Sequence, residues 1–290
     1  MELKCIITLA SASVRIPFTA MERSLRAVGC ALPVRVIPFN DDKFELPPNS
    51  EWWILPEVRS WIHQSRASST AKGMMQKYQT FLVGGYLFVD SDVVFLRDPR
   101  EVFADAAGFV TCCGHWHNPA HTFTEESRNL MAQKSTVWQS RVFNAGQFAC
   151  DQPLYDFDSL RATAGSTALR STCLENLYHD QPGMNALVFS SGVKVTNLTL
   201  PPRNVESTWA GDYTIADYRS YWSDIDRMPC FIHWAGRKPD SGLPIDELFY
   251  DHLREEEIEA WAKECGKKAK ILIGPRVALK RFRKFLKRSL

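Results

Sequence analysis

Apolar residues along this chain alternate between short continuous runs and helical spacing, and each change of spacing marks an element. Cys5 to Leu9 is a short apolar run that ends in small residues, which predicts a first buried strand. Phe18 to Val28 is amphipathic at helical spacing, and Val34 to Phe39 is a second apolar stretch, so the chain opens as strand, helix, strand. Open α/β sheets built from such units bind ligands at the carboxyl ends of their parallel strands. Thr8, Ala10 and Ser11 stand at that end of the first strand and are therefore candidate ligand contacts.

Ser69 to Val83 predicts a helix with Met74, Met75, Tyr78 and Leu82 on one side, and Gly84-Gly85 stops it. Tyr86 to Val89 is apolar at every position, as expected of a strand buried on both faces. After Asp90-Ser91-Asp92 come a β-rich stretch, Val93 to Leu96, and an Asp98-Pro99 turn. The pattern is then irregular as far as the Asp180 region, and Asp251 to Lys263 predicts a charged helix. There is no internal repeat or low-complexity linker. The expected organisation is one α/β domain over residues 1–250, followed by a helical extension over 251–290.

With 290 residues, 45% of them hydrophobic, the chain can bury a large core without disulfides or structural metal. Its net charge of +2 hides a strong polarity. Residues 266–290 hold ten lysines and arginines and no acid, which leaves the body at −8. An acidic body argues against nucleic-acid binding. The basic end, with Val277, Leu279, Phe282, Phe285, Leu286 and Leu290 set among its cations, predicts an amphipathic helix for an anionic membrane surface over 277–290. No run approaches the ~18 apolar residues of a bilayer span, and Cys5 to Ala10 is shorter than a signal-peptide core. The eight scattered cysteines, including the adjacent Cys112 and Cys113, suit buried thiols in a reducing compartment. The expected location is cytoplasmic, peripherally attached to a membrane.

Chemistry first shows itself at Asp90-Ser91-Asp92. Two carboxylates one residue apart at a strand end hold a hard divalent ion and leave sites open for a diphosphate. The octet Phe88 to Phe95 equally fits the Asp-x-Asp-x-Val motif of haloacid-dehalogenase-type phosphatases, with Asp90 as nucleophile and Asp212 and Asp217 as later acids. That motif normally lies on the first strand, whereas here some eighty residues of α/β pattern precede it.

Three later segments bear on the choice: Phe143-Asn144-Ala145-Gly146, His179-Asp180-Gln181-Pro182 with Asn185, and His233-Trp234-Ala235-Gly236-Arg237-Lys238-Pro239. Together with Asp90-Ser91-Asp92, in this order and approximate spacing, they resemble the retaining glycosyltransferases that include glycogenin and the bacterial lipooligosaccharide galactosyltransferases. The resemblance covers residues 1 to about 245.

It implies a GT-A-like fold, a Rossmann-type single domain with a mixed sheet. The implied activity moves a sugar from a nucleoside-diphosphate sugar, a UDP-sugar above all, to a glycan or lipid-linked glycan with retention. It further implies that Asp90, Asp92 and His233 bind Mn2+ (or Mg2+), with Ser91 beside the donor. Asn144, Ala145 and Gly146 would line the donor sugar, Asp180 would meet its hydroxyls, and Gln181 would lie near the anomeric carbon. Front-face attack and double displacement through Asp180 both remain open. The family places two residues between the Gly matched here by Gly236 and the following Lys. This chain has only Arg237, so either Arg237 or Lys238 is the diphosphate contact. Lys72 falls close to where the family has an Arg contacting donor.

Cys112, Cys113, His115, His117 and His121 match no standard zinc spacing and are expected to line the donor or acceptor pocket instead. Trp52, Trp53, Trp61, Trp209 and Trp222 are open between core and sugar-stacking roles. A non-catalytic nucleotide-sugar or glycan binder and a nucleotidyltransferase stand beside the phosphatase as alternatives.

Overall fold

A computed structural model describes residues 1–117, 122–175 and 180–266; the predicted amphipathic helix at 277–290, together with His121 and His179, lies outside the described residues. Among the described residues nine strands form two sheets: β1 (Cys5–Ala10), β2 (Val34–Pro38), β3 (Ser50–Trp52), β4 (Tyr86–Val89), β5 (Val93–Phe95), β6 (Phe109–Thr111), β7 (Gln147–Cys150), β8 (Val195–Asn197) and β9 (Phe231–His233). Seven of them run in the order β3-β2-β1-β4-β7-β6-β8. The half containing β3, β2, β1 and β4 is parallel; β7 then runs antiparallel to both β4 and β6, and β8 is parallel to β6. β5 and β9 form a separate antiparallel ribbon in which Val93 faces His233.

Period-two alternation sorts the central strands into two cores. Ile7, Phe88 and Phe148 point to one side, where they meet Met184, Leu187 and Val188 of the helix Gln181–Ser191. Phe148 stacks between Phe88 and Phe109, with ring centroids 5.0 and 5.3 Å away. Ile6, Leu87 and Ala149 point to the other side, against Phe18, Met21 and Leu25 of the helix Arg15–Ala27. Because both faces are covered, β4 is apolar throughout and β1 is apolar at every position but Thr8. A third cluster joins Val94 and Ile232 of the ribbon to Trp234, Phe249 and Trp261.

The opening strand-helix-strand unit and the strand at Tyr86–Val89 form as the pattern predicts. The helix expected over Ser69 to Val83 does not run through. It is α-helical over Ser69–Met75, capped by Ser68 Oγ accepting from Ala71 N, and then tightens into a 3-10 helix over Gln76–Leu82. Within that tightened stretch, Thr80 Oγ1 donates to Lys77 O and Gln79 Nε2 to Gln76 O, so side chains take up carbonyls that a 3-10 turn satisfies poorly. The Asp98-Pro99 turn proves to be the start of a short helix, Pro99–Val102, with the Asp98 carboxylate accepting from Arg100 N. The last described helix begins at Glu255, four residues later than expected, because Asp251 still closes the preceding turn. It packs against the body: Ile258, Trp261 and Ala262 join the third cluster, and Arg23 grips Glu257 at 2.6 and 2.9 Å.

Candidate functional site

The carboxyl end of β4 faces the start of β7 across the middle of the main sheet. There the antiparallel contact continues one step past the strands, as Asp90 N donates to Gly146 O. Gly146 is needed because its missing side chain leaves room for the Asp90 carboxylate and the His233 ring. The ribbon supplies the rest. His233 N donates to Thr208 O and Trp234 N to Asp92 O, which fixes β9 beside the Asp90-Ser91-Asp92 turn. Trp234 is itself anchored by its indole N–H on the buried Asp246 carboxylate at 2.8 Å.

Asp90, Asp92 and His233 thereby each offer one ligand atom within 4.8 Å of the others, the one such group of His, Cys, Asp and Glu among the described residues. His233 Nε2 lies 3.2 Å from Asp92 Oδ1 and 3.8 Å from Asp90 Oδ2. Burial pulls the His233 imidazole toward neutrality, but Asp92, with Asp90 behind it, outweighs burial and raises its pKa. Burial likewise pushes Asp92 up, and His233 brings it below the ordinary carboxylate value. The pocket therefore favours positive charge between two acids and an imidazole. These oxygen and nitrogen donors suit a divalent metal ion.

The helix Gln181–Ser191 builds the other wall. Asn185 Oδ1 accepts from Phe143 N, and its Nδ2 donates to Phe143 O and Gln181 O, all within 3.0 Å. Gln181 Oε1 accepts from Ala145 N at 3.1 Å. Asn144 completes the loop by accepting from Gly146 N through its own Oδ1 at 2.8 Å. One helix face thus clamps the segment 143–146, and Asp180, at the N-cap position, enters the same space.

A cation stands between the two halves. Lys77 Nζ is 3.0 Å from Asp90 Oδ1 and 3.2 Å from Asp180 Oδ2, with its side chain only 5% exposed. Burial lowers the Lys77 pKa, but Asp180 and Asp90 reverse the effect and leave it raised. At Asp180 burial wins and the carboxyl is raised despite Lys77.

These groups share one cavity of about 570 Å³, lined by Asp90, Asp92, Asn144, Ala145, Gly146, Asp180, Gln181, His233 and Gly236. Lys77, Met74, Gln147 and Trp209 complete the wall, together with Cys113, Gly114 and His115. With this sheet order and this cavity, solved structures resemble the chain over about nine-tenths of its length. The galactosyltransferase LgtC, in complex with donor and acceptor sugar analogues, matches at TM-score 0.59 and 15% identity, over 89% of this chain and 99% of its own. The chain has a GT-A glycosyltransferase fold. The bifunctional glycosyltransferase WbbM shares this GT-A fold at TM-score 0.59 and 15% identity, over 90% of this chain, which spans only 52% of WbbM. GlyE of Streptococcus pneumoniae follows at 0.50 and 12%, over 92% of this chain and 65% of GlyE. No protein-family model and no curated protein matches the chain by sequence.

Not every residue expected at the site lines the GT-A cavity. Thr8 is fully buried within β1 with its hydroxyl unpartnered, Ala10 pairs with Pro38, and Ser11 Oγ bonds Ser13 Oγ at 2.9 Å. Ser91 is buried between the two acids' positions. Lys72 turns away: its Nζ donates to His63 O on the exposed surface at 2.9 Å. It sits on the α-helical part of the segment, whereas the 3-10 part carries Lys77 inward. Arg237 and Lys238 are exposed; the Arg237 guanidinium lies over the Trp209 ring, 5.1 Å from its centroid.

Of the cysteine and histidine cluster, Cys113 and His115 line the cavity, while Cys112 belongs to the core. Burial pushes the Cys112 thiol up to about 12. His115 Nε2 is 3.0 Å from Asp212 Oδ2, and its ring meets Trp209 edge to face. Lys77 is the cavity-lining cation that sequence reasoning missed. Its signal was the three-residue step from Met74, which places both on one side of a helical segment.

Proposed function

We propose that this protein transfers a sugar from a nucleoside-diphosphate sugar to a glycan or lipid-linked glycan acceptor, with retention, using a divalent ion held by Asp90, Asp92 and His233. One observation carries this: two strand ends far apart in sequence bring two carboxylates and an imidazole together in the same cavity as Asp180 and Gln181. A manganese or magnesium ion held there would offset the charge of the departing diphosphate. The chain's own residues do the remaining work. The 143–146 loop, locked by Asn185, presents backbone and the Asn144 amide to the sugar, and Gly146 permits close approach. Asp180 accepts from sugar hydroxyls, and Arg237, held on Trp209 at the cavity's edge, meets the diphosphate.

In this reading the leaving phosphate takes the acceptor's proton and Gln181 stabilises the oxocarbenium-like centre, with no strong nucleophile required. Asp90 is poorly suited to attack phosphorus, since Lys77 and His233 occupy its two sides, and Asp212, the acid a phosphatase would recruit, pairs with His115. We further propose that residues 277–290 hold the enzyme at an anionic membrane. Among the described residues no helix is long and apolar enough to cross one.

The test is a thermal-shift panel of nucleoside diphosphates and nucleotide sugars, with and without Mn2+, on wild type and Asp92→Ala. A ligand at a hundred times its Kd stabilises the fold by about 2.7 kcal/mol, a shift of several degrees. The wild type should shift with Mn2+ and a uridine nucleotide, and Asp92→Ala should not. Absence of any nucleotide shift in the wild type, or an equal shift in the variant, overturns the assignment. Deleting residues 267–290 should abolish sedimentation with anionic vesicles and spare the nucleotide shift; retained sedimentation overturns the membrane role.

A further inference from the structure

Lys77 divides the two oxygens of Asp90. Oδ1 faces the ammonium at 3.0 Å, and Oδ2 faces His233 Nε2 at 3.8 Å. The same ammonium reaches Asp180 Oδ2 and, at 3.3 Å, Ala145 O, and it lies over the Phe88 ring, 5.2 Å from the centroid. It has little freedom to leave, because residues 76 to 81 of its 3-10 segment are all buried. A buried cation tied to two acids is a fixed charge of the site, present whether or not anything is bound.

We propose that Lys77 is a positioning residue and resident counter-cation: it restricts Asp90 to one oxygen toward the metal and keeps that metal weakly held until an anionic diphosphate enters. The inference rests on the metal-binding role proposed for Asp90, Asp92 and His233. A divalent ion attracted by Asp90 Oδ2 and Asp92 would be separated by that carboxylate from a positive charge that cannot withdraw. The diphosphate supplies the missing negative charge. Metal and nucleotide therefore tighten one another's binding, by the same factor in both directions. Lys77 also joins the metal end of the cavity to Asp180, so the acid facing the sugar and the acid facing the metal answer to one cation.

The experiment titrates the full-length protein with Mn2+ alone, following the free-ion signal by electron paramagnetic resonance, and repeats the titration with UDP present. Lys77→Gln should bind Mn2+ alone roughly tenfold more tightly than wild type, the repulsion between a single and a double charge across one carboxylate even at the dielectric of water. Its gain from UDP should be correspondingly smaller. Lys77→Arg, which keeps the charge, should stay within about threefold of wild type on the same scale. Asp180→Asn should shift affinity the opposite way from Lys77→Gln, because it removes the acid that shares the ammonium; this near-isosteric change keeps the test open if Lys77→Gln fails to fold.

A folded Lys77→Gln with unchanged or weaker Mn2+ affinity overturns the proposal, as does an unchanged or tighter Asp180→Asn. Asp92→Ala separates the two levels. If it binds Mn2+ as well as wild type, the metal site itself is wrong. If it loses Mn2+ while Lys77→Gln gains nothing, only the role of Lys77 fails.

Discussion

Replacing Gly146 with alanine places a methyl group where the candidate metal ligands stand. A Cβ at this position meets Asp90 Oδ2 and His233 Cε1, both nearer than the 3.0 Å below which real Cβ contacts essentially never fall, with Asp90 Cγ at 2.9 Å. Restoring ordinary contact distances moves the carboxylate or the ring by about 1 Å. Metal sites tolerate about 0.2 Å in ligand distance. The loop has no room to yield instead, since Gly146 O is held by Asp90 N and Gly146 N by Asn144 Oδ1. The expected result is at least a 100-fold loss of Mn2+ affinity, by analogy with the cost of a 1 Å misplacement at a reacting centre. Overpacking adds about 1–3 kcal/mol of destabilisation.

Gly236→Ala is the contrasting control. Gly236 has a φ of +67° and nothing within 4 Å of an added Cβ. It should cost about 1–2 kcal/mol of backbone strain and leave Mn2+ binding alone. Mn2+ titration with parallel thermal melts reads both effects. A Gly146→Ala protein that binds Mn2+ within threefold of wild type would show that Asp90 and His233 do not share an ion at this place.

Two further substitutions probe the supports. Asn185→Ala strips Phe143 of both its amide partners and should cost about 2–4 kcal/mol, while weakening nucleotide-sugar binding more than binding of the nucleoside diphosphate alone; equal weakening of both would refute its role in the sugar wall. At Glu257, burial tends to raise the pKa, but the hydrogen bonds from Arg23 and Arg254 outweigh it and lower it from 4.5 to about 2. The folded value lies below the unfolded one, so this stabilisation is complete above pH 4.5 and drains away as pH falls toward 2. Glu257→Gln should therefore be less stable than wild type by about 1–2 kcal/mol at neutral pH, allowing for solvent screening. Urea unfolding at pH 7, 4 and 3 should show the gap closing, and a constant gap would contradict the assignment.

How much of this was legible in the chain depended on length and local rules. β1 and β4 declare themselves because strands covered on both faces are apolar at consecutive positions. β6, β7 and β8, of three or four residues each, are too short for any period to register, and the stretch that holds them reads as irregular. The site divides in the same way. Asp90, Asp92 and His233 sit in recognisable segments, and the fold brings those segments together. Lys77 was hidden because hydrophobic spacing reports an apolar face and not a buried cation: Lys72 and Lys77 read alike as helix lysines, and only the tertiary contacts with Asp90 and Asp180 single out the second. Trp209, one of five tryptophans left open, is singled out by tertiary contact alone, since it meets β9 through a bridge to His233.

Asp90 directly follows a strand of the main sheet, Asp92 directly precedes one strand of the ribbon and His233 ends the other, with buried Ser91 as the covalent connection between the two acids. An ion coordinated by all three would be a rivet between two sheets that share no strand. It would stiffen the joint, and whatever changes how the ribbon seats, even from the remote side where Ser24 Oγ accepts from Phe95 N, would act on the grip of that rivet.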